Sequence, residues 1–279
     1  MDHPRDLLTM VNHFRTDIRK PIIGIGHSMG GNNLINLALV HPRLLDSLIL
    51  IDPVIQPEFN YDVVKSAKAS VRRRQHWASQ HAAEESFAKS RFYAAWDPRV
   101  LALWNKHGIG KCTEPGVELR TSRDQEVMSF LRFENSAEDP FSRVEITRTF
   151  NRLKDVLPSV LYIHGGASEV SRPAVRAERI RTTGTGESGS GGVNKAKVKE
   201  VIFDKIGHLV PMEVVGDTAE AAGLWITEEM AVYAQKKAAY QRWCSSESAG
   251  KLSPAFIEAL GKANDTQAAA GKRTKLHKL

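Results

Sequence analysis

Hydrophobic and polar positions follow two different patterns in the N-terminal part of the chain. Residues 5–18 and 32–40 place apolar side chains at helical spacing, whereas 21–25 and 45–51 are short, fully apolar runs typical of buried parallel strands. A strand, a helix and a second strand in this order require a right-handed crossover. The pattern therefore predicts a parallel sheet with helices packed on it.

The pattern changes in the middle of the chain and then returns. Between residues 57 and 157, charged and aromatic residues alternate at helical spacing and no run is typical of a strand, so this segment is predicted to be a helical insertion. Strands are predicted again at 159–163 and 198–203, and a long helix at about 218–243. The Gly-, Ser- and Thr-rich run 182–192 is predicted to be a flexible loop.

These elements predict an α/β fold in four parts. Residues 1–56 form the first part of the core, 57–157 the helical insertion, 158–245 the second part of the core, and 246–279 a mobile, lysine-rich tail. The composition, with 42% hydrophobic and 25% charged residues, is that of a globular domain and excludes wholesale disorder. Because no apolar run approaches the roughly 20 residues that cross a bilayer, no membrane span is expected.

Charge and cysteine content exclude several further classes of function. The formal net charge is +7, but the densest basic run, 72–74, lies in a helical stretch and is more typical of a solvated helix face than of a nucleic-acid surface. Cys112 and Cys244 have no metal-ligand spacing. The run 184–189 spells Gly-x-Gly-x-x-Gly but no strand precedes it, so neither a dinucleotide nor any other cofactor is expected.

The chemistry is concentrated in the turn Gly26-His27-Ser28-Met29-Gly30, which lies between the first predicted strand and the helix that follows. This context is that of the nucleophile elbow, Gly-x-Ser-x-Gly, which presents a serine hydroxyl above the edge of a sheet. So tight a turn is expected to accept only very small side chains at its flanking positions. Ser28 is therefore the candidate nucleophile.

A serine hydroxyl needs a base, and the base needs an acid that holds it. His208 comes directly after the last predicted strand, where the chain order Ser, acid, His places the base. His164, at the end of an earlier strand, is a lesser candidate. His27 adjoins the nucleophile, but its side chain is expected to point away along the turn.

Two carboxylates are candidates for the acid. Glu169 lies six residues after the strand at 159–163, at the usual site for this group, and is the first choice. Asp52, directly after the second strand, is the alternative, although an Asp-Pro turn would also explain it. The sequence leaves this choice open.

The segment 11–55, with the elbow and the run His41-Pro42-Arg43-Leu44-Leu45, resembles the α/β-hydrolase superfamily. It is more narrowly similar to a fungal branch that contains hydrolases of host-selective toxin biosynthesis and peroxisomal lipase-like proteins. The resemblance extends to 165–169 and 207–211. It implies a carboxylic-ester-type serine hydrolase with a helical cap, acting on an apolar ester or thioester, lipid-like or a secondary metabolite. In it Ser28 would be the nucleophile, His208 the base and Glu169 the acid.

The resemblance also implies segments that precede residue 1. Members of the superfamily carry further strands before the helix that leads to the elbow, and one of their loops supplies a second oxyanion donor beside the backbone N–H of Met29. Loss of one such donor costs about 10²–10³ in turnover, and the strand at 21–25 would be an exposed edge. A truncated sequence, or a non-catalytic, degenerate copy, is therefore the alternative expectation, with poor solubility and near-background activity for these 279 residues alone.

The last three residues, His277-Lys278-Leu279, are close to the peroxisomal address Ser-Lys-Leu. Lysine and leucine match, and histidine replaces the small residue. The sequence therefore predicts a peroxisomal import receptor as a partner, with the cytoplasm as the other expected location.

Overall fold

The computed structural model describes residues 2–58, 62–111, 115–131, 143–245 and 250–263. The helices, in chain order, are α1 (Asp2–His13), α2 (Met29–Val40), α3 (Asp62–Arg72), α4 (Gln80–Ala88), α5 (Arg91–Ala94), α6 (Pro98–His107), α7 (Arg123–Phe130), α8 (Val144–Asn151), α9 (Pro173–Thr182), α10 (Val210–Glu213) and α11 (Val215–Cys244). The strands are β1 (Ile23–His27), β2 (Ser47–Ile51), β3 (His76–Trp77), β4 (Ile109–Lys111), β5 (Val117–Leu119), β6 (Ser159–Gly165) and β7 (Val198–Phe203).

Four parallel strands form the main sheet in the order β1-β2-β6-β7. Ile25 of β1 lies opposite Ile49 of β2, which lies opposite Leu161 of β6. The predicted parallel α/β fold is therefore confirmed. Since parallel strands end at the same edge of a sheet, the residues that follow β1, β2, β6 and β7 lie side by side.

The core lies on both faces of this sheet. Successive residues of β2 point to opposite faces, so Leu48 and Leu50 join one apolar cluster with residues of α2, while Ile49 and Ile51 join another with residues of α10 and α11. Every residue of β2 and β6 is buried, because each strand has a neighbour on both sides and helices above and below. β1 lies at one edge of the sheet, where Ile25 is 55% exposed.

The predicted insertion contains strands, so the expectation of a purely helical segment is wrong. β3, β5 and β4 form a small antiparallel sheet in that order. Each strand has only two or three residues, which is too short for the alternation of polar and apolar positions that identifies a strand. Around this sheet lies a cluster of buried aromatic and aliphatic side chains, which we call the cap cluster. Its buried members are Trp77, Ala83, Phe87, Tyr93, Trp96, Ile109 and Leu119.

The last part of the predicted insertion packs into the core. Phe150, Leu153 and Val156 are buried in the same cluster as Leu48 and Leu50 of β2. Thr149 of α8 is also buried, and its hydroxyl accepts from the side-chain amide of Asn36 on α2 at 2.6 Å. The core therefore already includes side chains from the segment 144–156, whereas the sequence pattern predicted that its second part begins at residue 158.

The Gly- and Ser-rich run after α9 is held by backbone hydrogen bonds, which the prediction of a flexible loop did not anticipate. The N–H groups of Gly184, Gly186 and Ser190 donate to the carbonyl oxygens of Leu153, Lys154 and Val156, at 2.9, 2.8 and 3.0 Å. The small glycine and serine residues let the backbone segments of this loop lie close to one another. A Cβ at Gly189, for example, would lie 2.4 Å from the carbonyl oxygen of Gly184.

The chain divides into two compact units, Met1–Glu229 and Met230–Leu279. The second unit contains the last part of α11 and a helical segment at 254–263. Of the predicted mobile tail, residues 246–249 and 264–279 lie outside the described residues. Among the described residues, no helix is both long and apolar enough to span a membrane.

Candidate active site

Ser28 lies in a strained turn between β1 and α2. Its backbone has φ 56° and ψ −122°, a conformation that residues other than glycine rarely adopt. A Cβ at Gly26 would lie 2.7 Å from the carbonyl carbon of Gly30, so the turn requires glycine at 26. At Gly30 itself, a Cβ would meet nothing within 4 Å among the described atoms. The expected need for small residues on both sides of the turn therefore holds for Gly26 only.

His208 connects the serine to a carboxylate. Its Nε2 lies 2.9 Å from the Oγ of Ser28, and its Nδ1 lies 2.6 Å from the Oδ2 of Asp52. A proton on Nδ1 that is donated to Asp52 leaves Nε2 free to accept the hydroxyl proton of Ser28. The three side chains have the geometry of a Ser-His-Asp triad.

The expectation that Glu169 orients His208 is contradicted by these contacts. Both ring nitrogens of His208 are occupied, one by Ser28 and the other by Asp52. The side chain of Glu169 is 72% exposed and lies 3.2 Å from Arg172, which follows it by three residues. Asp52, the alternative in the sequence analysis, is the carboxylate that contacts His208, because β2 ends beside the strand that carries the elbow.

Asp52 is buried completely and is held by its backbone as well as its side chain. Its φ is 40°, and its N–H donates to the carbonyl of Ile163 at 2.7 Å. Oδ2 also accepts a hydrogen bond from the hydroxyl of Ser168, with 2.5 Å between the two oxygens. Burial alone would raise the pKa of Asp52, but His164, His208 and Ser168 outweigh it and hold that pKa well below its ordinary value. Asp52 is therefore an anion at neutral pH.

The backbone N–H of Met29, the first residue of α2, comes directly after the candidate nucleophile. N–H groups of the first helical turn have no partner inside the helix, and the helix dipole makes this end positive. The group is therefore chemically suited to receive a negative charge that develops beside Ser28.

Two polar contacts at the triad were not foreseen from the sequence. Ser168, in the loop where the acid was expected, donates a hydrogen bond from its hydroxyl to Oδ2 of Asp52. The ring of His27 does not point away along the turn. Its Nε2 lies 2.8 Å from the carbonyl oxygen of His208, and the two rings are 4.9 Å apart. Burial, and then the proximity of His208, lowers the pKa of His27, so it donates as a neutral ring. The only sequence signal for either residue is adjacency to Ser28 or Glu169.

The cap cluster contacts the segment that directly follows His208. Leu209 and Met212 pack against the cap cluster, and the N–H of Asp97 donates to the carbonyl of Met212 at 2.8 Å. The position of the segment 208–212, which we call the His208 loop, is therefore set in part by the insertion. The cap aromatics pack largely on one another, with ring centroids of Tyr93 and Trp96 4.9 Å apart.

Side chains that could bind a metal are not grouped into a site in the part of the chain that the structure describes. No group of three or more His, Cys, Asp or Glu side chains there is arranged to hold a metal ion. Cys244 is exposed at the end of α11, and Cys112 lies outside the described residues.

The chain is similar in sequence to several hydrolases. Residues 1–118 match the family model described as serine aminopeptidase, S33. The chain is 33% identical to the type I acyl-CoA thioesterase mpaH of Penicillium roqueforti (strain FM164), over 82% of this chain and 64% of that protein. It is 30% identical to the abhydrolase domain-containing protein ACTT2 of Alternaria alternata, over 76% of this chain and 85% of that protein.

The fold is similar to that of solved hydrolases. The peroxisomal α/β-hydrolase Lpx1 from Saccharomyces cerevisiae superimposes with a TM-score of 0.64 at 17% identity, over 96% of this chain and 68% of that one. At this level of identity the likeness establishes the fold. The chain spans only 64% of the length of the Penicillium thioesterase that it matches.

Proposed function

Because the chain belongs to the α/β-hydrolase superfamily, we propose that it is a serine hydrolase of acyl thioesters or esters, with Ser28, His208 and Asp52 as its triad. One observation carries the proposal: a single imidazole lies within 2.9 Å of the elbow serine and 2.6 Å of a buried carboxylate. The chain order Ser28, Asp52, His208 is that of the superfamily.

The geometry supports a two-step mechanism. Nε2 of His208 accepts the proton of Ser28 as Oγ attacks the acyl carbonyl carbon, and the resulting imidazolium is stabilised by the anion of Asp52. The oxyanion that forms on the carbonyl lies at the N-terminus of α2, where the N–H of Met29 donates to it. When the oxyanion collapses and the C–S or C–O bond breaks, the imidazolium of His208 gives its proton to the leaving sulfur or oxygen, which departs as thiol or alcohol. Water, deprotonated by the same ring, hydrolyses the acyl-enzyme and restores Ser28.

Thioesters are the favoured substrate class. The relative at 33% identity is named an acyl-CoA thioesterase, and a thiolate is a better leaving group than an alkoxide, so less acid assistance is needed from His208. The chain spans 64% of that relative's length, and the acyl group follows from neither the name nor the triad. An apolar acyl chain is proposed because the cap cluster beside the His208 loop is aromatic and aliphatic.

The competing proposal is a non-catalytic copy that keeps the fold. It rests on the single oxyanion donor, Met29, that can be assigned among the described residues. Against it stands the assembly of the triad, because Asp52 is completely buried and anionic and keeps three polar side chains around it. A buried charge costs several kcal/mol unless it is paired, and the ring that pairs it here, that of His208, also contacts the elbow serine.

Covalent labelling of Ser28 tests the proposed function. A fluorophosphonate probe phosphonylates a serine only when a base activates it, so we expect labelling of the folded chain that is lost in Ser28→Ala. Ser129, an exposed serine of α7, is the matched control, and Ser129→Ala should label like the wild type. Peptide mass mapping locates the adduct. A folded chain that gives no adduct at Ser28 would support the non-catalytic copy.

We propose a peroxisomal location from the last three residues alone. A fluorescent protein that ends in residues 272–279 is expected to collect in peroxisomes, because the lysine and the terminal leucine match the receptor-read address. Removal of Leu279 is the control and should leave the fusion in the cytosol. Microscopy with a peroxisomal marker measures both, and a diffuse signal from the intact fusion contradicts the proposal.

A further inference from the structure

His164 lies behind the triad acid and has no role in the mechanism above. Its side chain is completely buried in β6, stacked on Tyr162 with ring centroids 5.6 Å apart and planes 15° from parallel. Nδ1 lies 3.5 Å from Oδ1 of Asp52, and Nε2 lies 3.5 Å from Oε1 of Glu200 on β7. The ring therefore separates two carboxylates.

The polar atoms at this place are incompletely satisfied. Oδ2 of Asp52 accepts from His208 and Ser168, but Oδ1 of Asp52 and both ring nitrogens of His164 have no hydrogen bond of normal length among the described residues. Unpaired buried polar atoms are costly, so a native structure retains few of them without a reason. Nδ1 of His164, 3.5 Å away, is the ring nitrogen that faces Oδ1.

The proton on His164 can be assigned from the two carboxylates. Burial lowers the pKa of His164 to about 4, so at neutral pH the ring is neutral and has one N–H. A lone pair on Nδ1 would face the fully buried anion of Asp52. A lone pair on Nε2 would face Glu200, which is 27% exposed, lies 3.8 Å from Arg176 and has a pKa that burial raises. The second arrangement costs less, so the proton is on Nδ1.

We infer that His164 is a positioning residue for the triad: its Nδ1–H holds Oδ1 of Asp52, and so keeps Oδ2 directed at Nδ1 of His208. The stack on Tyr162 fixes the plane of the ring, and β6 fixes its place beside β2. The inference rests on the proposed function only in the role given to His208 as the base. The 3.5 Å approach of Nδ1 of His164 to Oδ1 of Asp52 belongs to the resting protein, without substrate.

Two amide substitutions at position 164 test where the hydrogen-bond donor must lie. Both replace the ring of His164 with a polar amide, but they place its N–H at different points. In His164→Asn the side-chain amide N–H can take the place of Nδ1–H, toward Asp52. In His164→Gln it can take the place of Nε2, toward Glu200, and no donor faces Asp52. We expect Asn to keep kcat for thioester hydrolysis within about threefold, and Gln to lower it about 10- to 100-fold with KM unchanged, as loss of a supporting hydrogen bond costs elsewhere.

A spectroscopic signature makes the test independent of turnover. The proton that His208 shares with Asp52 should give a strongly downfield nuclear magnetic resonance, which Asp52→Asn removes and so assigns. We expect this resonance to persist in His164→Asn and to broaden or vanish in His164→Gln, while the far-ultraviolet circular dichroism of both variants remains native.

The other possible results of these two measurements contradict either the positioning role of His164 or the proposed function. If both variants keep the resonance and kcat, or both lose them equally, or the wild type has no such resonance, the inference is wrong. If the resonance behaves as expected but the wild type neither hydrolyses thioesters nor labels at Ser28, the proposed function fails and the positioning contact stands.

Discussion

Asp52→Asn is expected to lower thioester turnover by about 10⁴-fold, or to the uncatalysed background, because the substitution removes the negative charge that orients His208 and stabilises its protonated form. The side chain keeps its shape, so Ser28 and His208 stay in place. kcat and KM are measured with a medium-chain acyl-CoA and a thiol reagent, and the effect should fall on kcat.

Glu169→Gln is the matched control for that prediction. Both residues are carboxylates that follow a strand of the same sheet, but Glu169 is 72% exposed and Asp52 is completely buried. We expect Glu169→Gln to turn over substrate like the wild type. The reverse result, a loss in Glu169→Gln and activity in Asp52→Asn, would mean that the loop after β6 rearranges to supply the acid.

The second large effect is expected at the nucleophile and the base. Ser28→Ala and His208→Ala should each lower kcat by about 10⁶-fold, or to background, and the double variant should be no worse than either single one, because the two groups act as a unit. The change at Ser28 removes one hydroxyl at the surface of the turn, so thermal unfolding should show no loss of stability.

Additivity of the two losses would contradict the triad. If His208→Ala and Ser28→Ala multiplied in the double variant, the two side chains would be acting in separate steps, and the 2.9 Å contact between Oγ and Nε2 would not be the path of the proton.

The parallel sheet and the elbow could be predicted because local sequence determines both. β2 is five consecutive apolar or small residues that are all buried, and Gly26 is required by a clash inside its own turn. The strands of the insertion could not be predicted, because their runs are too short to show alternation and because Trp77 pairs with Val117, a residue far from it in sequence.

The acid could not be chosen from sequence for a different reason. Asp52 and Glu169 each follow a strand of the same sheet, so spacing from Ser28 does not distinguish them. The choice depends on the positive φ of Asp52, on Ser168 beside it and on where the loop after β7 places His208. These are properties of three chain segments together. The sequence analysis considered His164 only as a base, because its position between Asp52 and Glu200 depends on two other segments of the chain, the end of β2 and β7.

Ser28 and Asp52 share one backbone feature: both have a positive φ, at 56° and 40°. Non-glycine residues held in such regions cost about 1–3 kcal/mol each. Glycine at position 28 would remove this conformational cost, but it would also remove the nucleophilic hydroxyl. Selection for a more stable fold and selection for hydrolysis therefore pull in opposite directions at this position, so a serine that persists there across related sequences would be evidence of a function under continuing selection.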